Sequence, residues 1–160
     1  MRFTLLTTLS LLSALVAAHP TAESSLQKRE DQVQTATLVF HGAPVEYTLQ
    51  VPADGSVVET NNDINVNIID ANDYHAFTNC QFTFGGPQQP TLVQSIDNKT
   101  GKQSIIVGPP APVVSVSCQG MCVPVYGMCY GFDNQWIGPC CNGFCAATRC
   151  RPWIAPGNVN

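Results

Sequence analysis

Six of the chain's eight cysteines fall within 32 residues, positions 119–150, a stretch with almost no aliphatic run. They are Cys122, Cys129, the adjacent pair Cys140 and Cys141, Cys145 and Cys150. A segment this short cannot bury enough apolar area to fold on a core of its own, so it must be cross-linked. Cys80 and Cys118 lie upstream and make the total even, which points to four disulfides. A zinc site is the other common use of clustered cysteines. Neither His41 nor His75 lies near this cluster, and no metal or cofactor is expected. Six cysteines admit many pairings, and spacing alone does not choose among them.

Disulfides require an oxidising compartment, and the N-terminus supplies a route to one. Residues 1–18 read as a secretory signal: Arg2, then an apolar stretch from Leu5 to Val16, then small residues ending at Ala18. The apolar part is about 12 residues, short of the roughly 20 that span a hydrocarbon core. Residues 19–29 form a polar pro-segment that ends in Lys28 and Arg29. That dibasic pair resembles the processing site of kexin-type proteases in the fungal secretory pathway, which would start the mature chain at Glu30. A secreted, extracellular protein is the expectation, associated with a cell wall or a host apoplast.

From residue 35 to residue 118 the texture is that of strands. Val45, Tyr47, Leu49 and Val51 alternate with Glu46, Thr48 and Gln50, and Ile64, Val66 and Ile68 alternate with Asn65 and Asn67. Period two marks a strand with one buried face. Runs of this kind cover 35–40, 45–51, 56–59, 64–69, 77–84, 91–96, 103–107 and 113–118. Between them lie Gly-, Pro-, Asn- and Asp-rich turns, including Gly108-Pro109-Pro110. The fold class expected is all-β: an antiparallel β-sandwich over 30–118, followed by a small disulfide-stapled module over 119–153 and a tail over 154–160. An open barrel is the other architecture these runs allow. Asn98-Lys99-Thr100 is an N-glycosylation acceptor at an apparent hairpin tip.

The sequence Gly138-Pro139-Cys140-Cys141-Asn142-Gly143-Phe144-Cys145, with the spacing around it, closely resembles the inhibitor cystine knot, or knottin, scaffold. That resemblance implies pairing of first with fourth, second with fifth and third with sixth cysteine. On this chain the pairs are Cys122–Cys141, Cys129–Cys145 and Cys140–Cys150. Cys80 and Cys118 are then left for each other, although a swap between Cys118 and Cys122 stays open.

Chemistry is sparse. Asp70, Asp73 and His75 lie close in sequence and would allow general base catalysis, but the segment has turn composition and lacks a nucleophile. His41 has no partner in sequence. No phosphate loop, nucleophile elbow or zinc-protease motif occurs, and no free thiol is expected, so the chain reads as a non-enzyme.

Aromatic residues are the better lead. Tyr126, Tyr130, Phe132, Trp136, Phe144 and Trp153 cluster late in the chain. Disulfide sulfur fills a knottin's interior, so several rings should stay on its surface, where they mark recognition. The candidate binding residues are Tyr130, Phe132, Asn134, Trp136 and Trp153, with Tyr126 and Phe144 expected inward. Packing of these rings against the sandwich is the competing role. After residue 29 stand four basic against ten acidic residues, which argues against nucleic acid and against membrane insertion.

Signal, dibasic pro-segment, sandwich and knottin-like module together resemble the small secreted cysteine-rich, effector-like proteins of filamentous fungi. That resemblance implies a non-catalytic, virulence-related binding protein. Its partner would be a host or extracellular protein, or a cell-wall polysaccharide. An inhibitor of an extracellular hydrolase, an antimicrobial protein and a structural wall protein are the alternatives.

Overall fold

Alternation in the first strand sets the inside of the sheet. Across β1 (Thr35–Gly42), Ala36, Leu38 and Phe40 are fully buried while Thr37, Val39 and His41 point the other way. The computed structural model describes residues 33–154. The signal, the pro-segment with Ala18, Lys28 and Arg29, and the tail after Ile154 lie outside the described residues. Ala43 and Pro44 turn β1 into β2 (Val45–Pro52), pairing Gly42 with Val45 and His41 with Glu46. On the other edge of β1 lies β4 (Asn65–Asp70).

The organising element is β7 (Gln103–Gln119), 17 residues long. Its first half pairs with β4 on one side and with β6 (Thr91–Ile96) on the other. Its second half pairs with β3 (Asp54–Glu59) and β5 (Cys80–Phe84). Residues 103–107 and 113–118 are therefore one strand, not two separated by a turn at 108–110. Proline's φ of about −65° suits extended backbone, and its missing N–H is harmless where a strand changes partners. The strand turns a corner here and serves two halves of one curled antiparallel sheet. Phe40 of β1 meets Phe82 of β5 edge-on at 6.5 Å, closing the two halves over a shared core. The sequence run 77–84 also divides: Ala76–Asn79 form one helical turn, α1, and only the remainder is strand. Tyr74 before it is fully buried, and the turn lets the chain climb from that anchor to β5.

The four disulfides join Cys80–Cys118, Cys122–Cys141, Cys129–Cys145 and Cys140–Cys150, the pairs that the resemblance implies. Cys80 and Cys118 are register partners on β5 and β7. After Gln119 the regular elements among the described residues are β8 (Phe144–Ala146) and β9 (Arg149–Arg151), a small hairpin inside the cross-linked module. Gly143 has φ +122°, and a β-carbon there would lie 2.0 Å from the Arg151 carbonyl oxygen. Only glycine fits at that crossing.

The change of texture after Cys118 is not a break in the core. Cys122 and Cys141 belong to the same buried cluster as Leu38, Phe40 and Val116. Three polar clamps add to that contact. The Gln34 amide grips the backbone of Cys122 from both ends, donating to its carbonyl at 2.8 Å and accepting from its N–H at 2.7 Å. Tyr74 Oη donates to the Gly120 carbonyl at 2.7 Å. Buried Gln103 Nε2 lies 2.7, 3.0 and 2.6 Å from the carbonyls of Ala71, Tyr74 and Cys141, which share its two N–H groups.

Candidate functional site

The loop from Cys129 to Ile137 is built as a short hairpin. Tyr130 and Trp136 face each other across it, and the Ile137 N–H donates to the Cys129 carbonyl at 2.9 Å. Its tip is closed by Gly131 N–H to Gln135 O at 2.8 Å and Asn134 N–H to Gly131 O at 3.0 Å. The Asp133 carboxylate accepts from the Gln135 N–H at 3.2 Å, so this acid caps the turn it sits in. Asn134 adopts φ +61°, a conformation asparagine tolerates better than most side chains. At its base the loop is held by the Cys129–Cys145 bond and by Cys129 N–H to Thr148 O.

On this frame Phe132 is fully exposed, and Trp136 keeps 53% of its surface. Tyr130 is half-buried and meets Trp136 edge-to-face, centroids 5.0 Å apart at 67°. Ile137 and Met121 are also exposed, and Met121 lies beside Gly138 at the foot of the loop. Of the five candidate residues, the structure thus brings together Tyr130, Phe132, Asn134 and Trp136. Trp153 stands apart: it is half-buried, its ring lies 5.6 Å from that of Phe144, and it packs with Ile154 against Gly101 in the connection between β6 and β7. It is therefore set apart from the other four candidates, because residues 153 and 154 pack against that connection.

Tyr126 and Phe144 also differ from expectation. Both are exposed, at 50% and 44%, instead of turned inward. The module's small core holds Val123, Cys129, Cys140 and Cys150, and the ring packed against it is that of Tyr130. Those three cysteine sulfurs lie within 4.8 Å of one another, but each is spent in a disulfide and none is available to a metal.

A second feature lies on the outer face of the sheet. His41 Nδ1 faces Glu46 Oε2 at 3.1 Å and its Nε2 faces Asp70 Oδ2 at 3.2 Å, while Ser104 Oγ donates to the other Asp70 oxygen at 2.7 Å. His41 therefore has two carboxylate partners that its sequence neighbourhood hides. The Ala43-Pro44 turn was the available signal, because it fixes His41 opposite Glu46. These residues line an open cleft of about 560 Å³ with Asn67, Asp97 and Lys102. Asp70, Asp73 and His75 do not converge. Asp70 belongs to this cleft, Asp73 accepts from the Thr37 N–H, and His75 is half-buried with its Nδ1 unpartnered among the described residues. Burial holds the His75 imidazole below the ordinary histidine pKa.

No protein-family model, curated protein or solved structure matches the chain. Four disulfides suit an extracellular, oxidising setting, and no helix among the described residues is long and apolar enough to cross a membrane. The arrangement at the loop offers shape and apolar area. Ser104 bonds to a carboxylate and not to the histidine, so the cleft lacks the hydroxyl–imidazole contact of an activated nucleophile.

Proposed function

We propose that the chain is a secreted, non-catalytic binding protein, effector-like in kind, that recognises an extracellular protein by inserting the 130–137 loop into a groove. The carrying observation is Phe132, fully exposed on a hairpin tip that is hydrogen-bonded internally and cross-linked at its base. An exposed aromatic ring normally costs solvation and gains nothing unless a partner covers it. A pre-ordered tip loses little conformational entropy on binding, and aromatic residues dominate such contacts. The clamps at Gln34, Tyr74 and Gln103 keep the module in one orientation on the sandwich. Cell export through residues 1–18, cleavage after Arg29 and a glycan on Asn98 belong to the same reading.

Polysaccharide recognition is the second reading, favoured by the exposed Trp136 and the amides of Asn134 and Gln135. Sugar rings stack best on coplanar aromatic faces, whereas Tyr130 and Trp136 stand at 67° to each other. That geometry supports the protein groove. The test is parallel retention of the mature chain and its Phe132→Ala and Trp136→Ala variants on chitin, β-glucan and cellulose, and inhibition of a panel of extracellular hydrolases. Stoichiometric inhibition of a hydrolase, lost in Phe132→Ala, supports a protein target. Retention on a polymer, lost in Trp136→Ala, moves the site to polysaccharide.

A further inference from the structure

Among the described residues, no element covers the outer face of the larger half-sheet. Strand register aligns one row across it: Glu46, His41, Ile68, Ile106 and Val93, each the partner of the next. The apolar end of this row is open, with Val93 54% and Ile106 38% exposed. The polar end is the cleft of His41, Glu46 and Asp70, and its rim includes Asp97 and Lys102. Those two residues bracket the hairpin tip that carries Asn98-Lys99-Thr100.

The tip is ordered and accessible. Asp97 N–H donates to Lys102 O at 2.9 Å, and Gly101 N–H to Asp97 O at 2.8 Å. Asp97 Oδ1 accepts from the N–H groups of Lys99 and Thr100 at 2.7 and 3.1 Å. Asn98 and Thr100 are exposed, and the tip's hydrogen bonds run through Asp97, Lys99, Thr100, Gly101 and Lys102. Nothing in the fold is disturbed by a large group attached there.

We infer that Asn98 carries an N-linked glycan, and that this glycan covers the rim of the cleft and the outer face of the half-sheet. The inference rests on the reading that residues 1–18 direct the chain into the secretory pathway. There the Asn98 amide nitrogen bonds to the anomeric carbon of a lipid pyrophosphate-linked oligosaccharide. The bond from that carbon to the pyrophosphate oxygen breaks, lipid pyrophosphate leaves, and one amide proton is lost to base. A hydrophilic chain at this rim shields the Ile68–Ile106–Val93 stripe from association with other exposed apolar surfaces. The aromatic loop, with Phe132 fully exposed, stays clear of this glycan.

The full chain, made in a eukaryotic secretory host, tests both parts. The secreted protein is treated with an asparagine-glycan amidase in heavy-oxygen water, and the expected result is labelled Asp at position 98. Carboxyl groups are then modified with a water-soluble carbodiimide and an amine, comparing wild type with Asn98→Gln. The variant keeps an amide and the turn. Glu46 is expected to react several-fold faster in Asn98→Gln, with Asp133 on the distant loop unchanged as internal control. A secreted chain without label at position 98 overturns the glycan. Equal Glu46 reactivity in the two forms overturns the shielding, and a chain retained inside the cell without modification overturns the export reading as well.

Discussion

His75 shows how a single side chain links burial to acid sensitivity. Half-buried before α1, with its Nδ1 facing no partner among the described residues, the imidazole resists protonation in the folded state. In the unfolded chain it titrates near the ordinary value of about 6.5. Its folded pKa lies below that, so between the two the unfolded state holds a proton that the folded state refuses. Stability is therefore full above the unfolded pKa, falls as the pH drops through it, and levels off below the folded one. The expected outcome is a flatter stability profile from about pH 7 to about pH 5 in His75→Gln than in wild type, measured by urea denaturation at successive pH values. Equal slopes would show that the ring is protonated as easily inside as outside. The residue was visible in the sequence as a titratable group in a turn. Its burial was not, because a turn carries no periodic pattern from which burial can be read.

The strands were legible wherever one face is buried and the other wet. Ala36, Leu38 and Phe40 inward against Thr37, Val39 and His41 outward is a pattern of period two that any reader of the chain can find. β7 was less legible, since Pro109 and Pro110 break a helix or a central ladder but survive at a corner where the strand changes neighbours. The aromatic loop was found through composition, and the structure keeps Tyr130, Phe132, Asn134 and Trp136 on one element. Trp153 escaped because its burial depends on Gly101 in a distant hairpin. The two classes of ring separate by experiment. Phe132→Ala removes no buried contact and should leave the melting temperature unchanged within error. Trp153→Ala strips a half-buried ring from Phe144 and the Gly101 hairpin, and should cost about 1–3 kcal/mol, read from denaturant midpoints. A Trp153 variant as stable as wild type would return that ring to the candidate binding surface.

At the scale of the molecule the question is whether sandwich and cross-linked module are two bodies or one. Texture in the sequence suggests two, with a boundary at Cys118. The packing says one: the Cys122–Cys141 bond lies in the sandwich core, and buried Gln103 holds Cys141 and the 71–74 segment together. The partners of Gln34 and Gln103 are 88 and 38 residues away, so no spacing rule could have named them. With its disulfides intact the molecule should unfold in one transition, with tryptophan fluorescence and far-ultraviolet circular dichroism coinciding. Most of the strand signal comes from the sandwich and both tryptophans lie in or beyond the module, so the two probes report on different halves. Gln103→Leu fills nearly the same volume but leaves up to three carbonyls without a donor, a loss of about 2–4 kcal/mol. If the halves are coupled, both probes shift together by that amount. Separate shifts, with only one probe moving, would mean that the module folds on its disulfides alone and that the clamps orient it without sharing its stability.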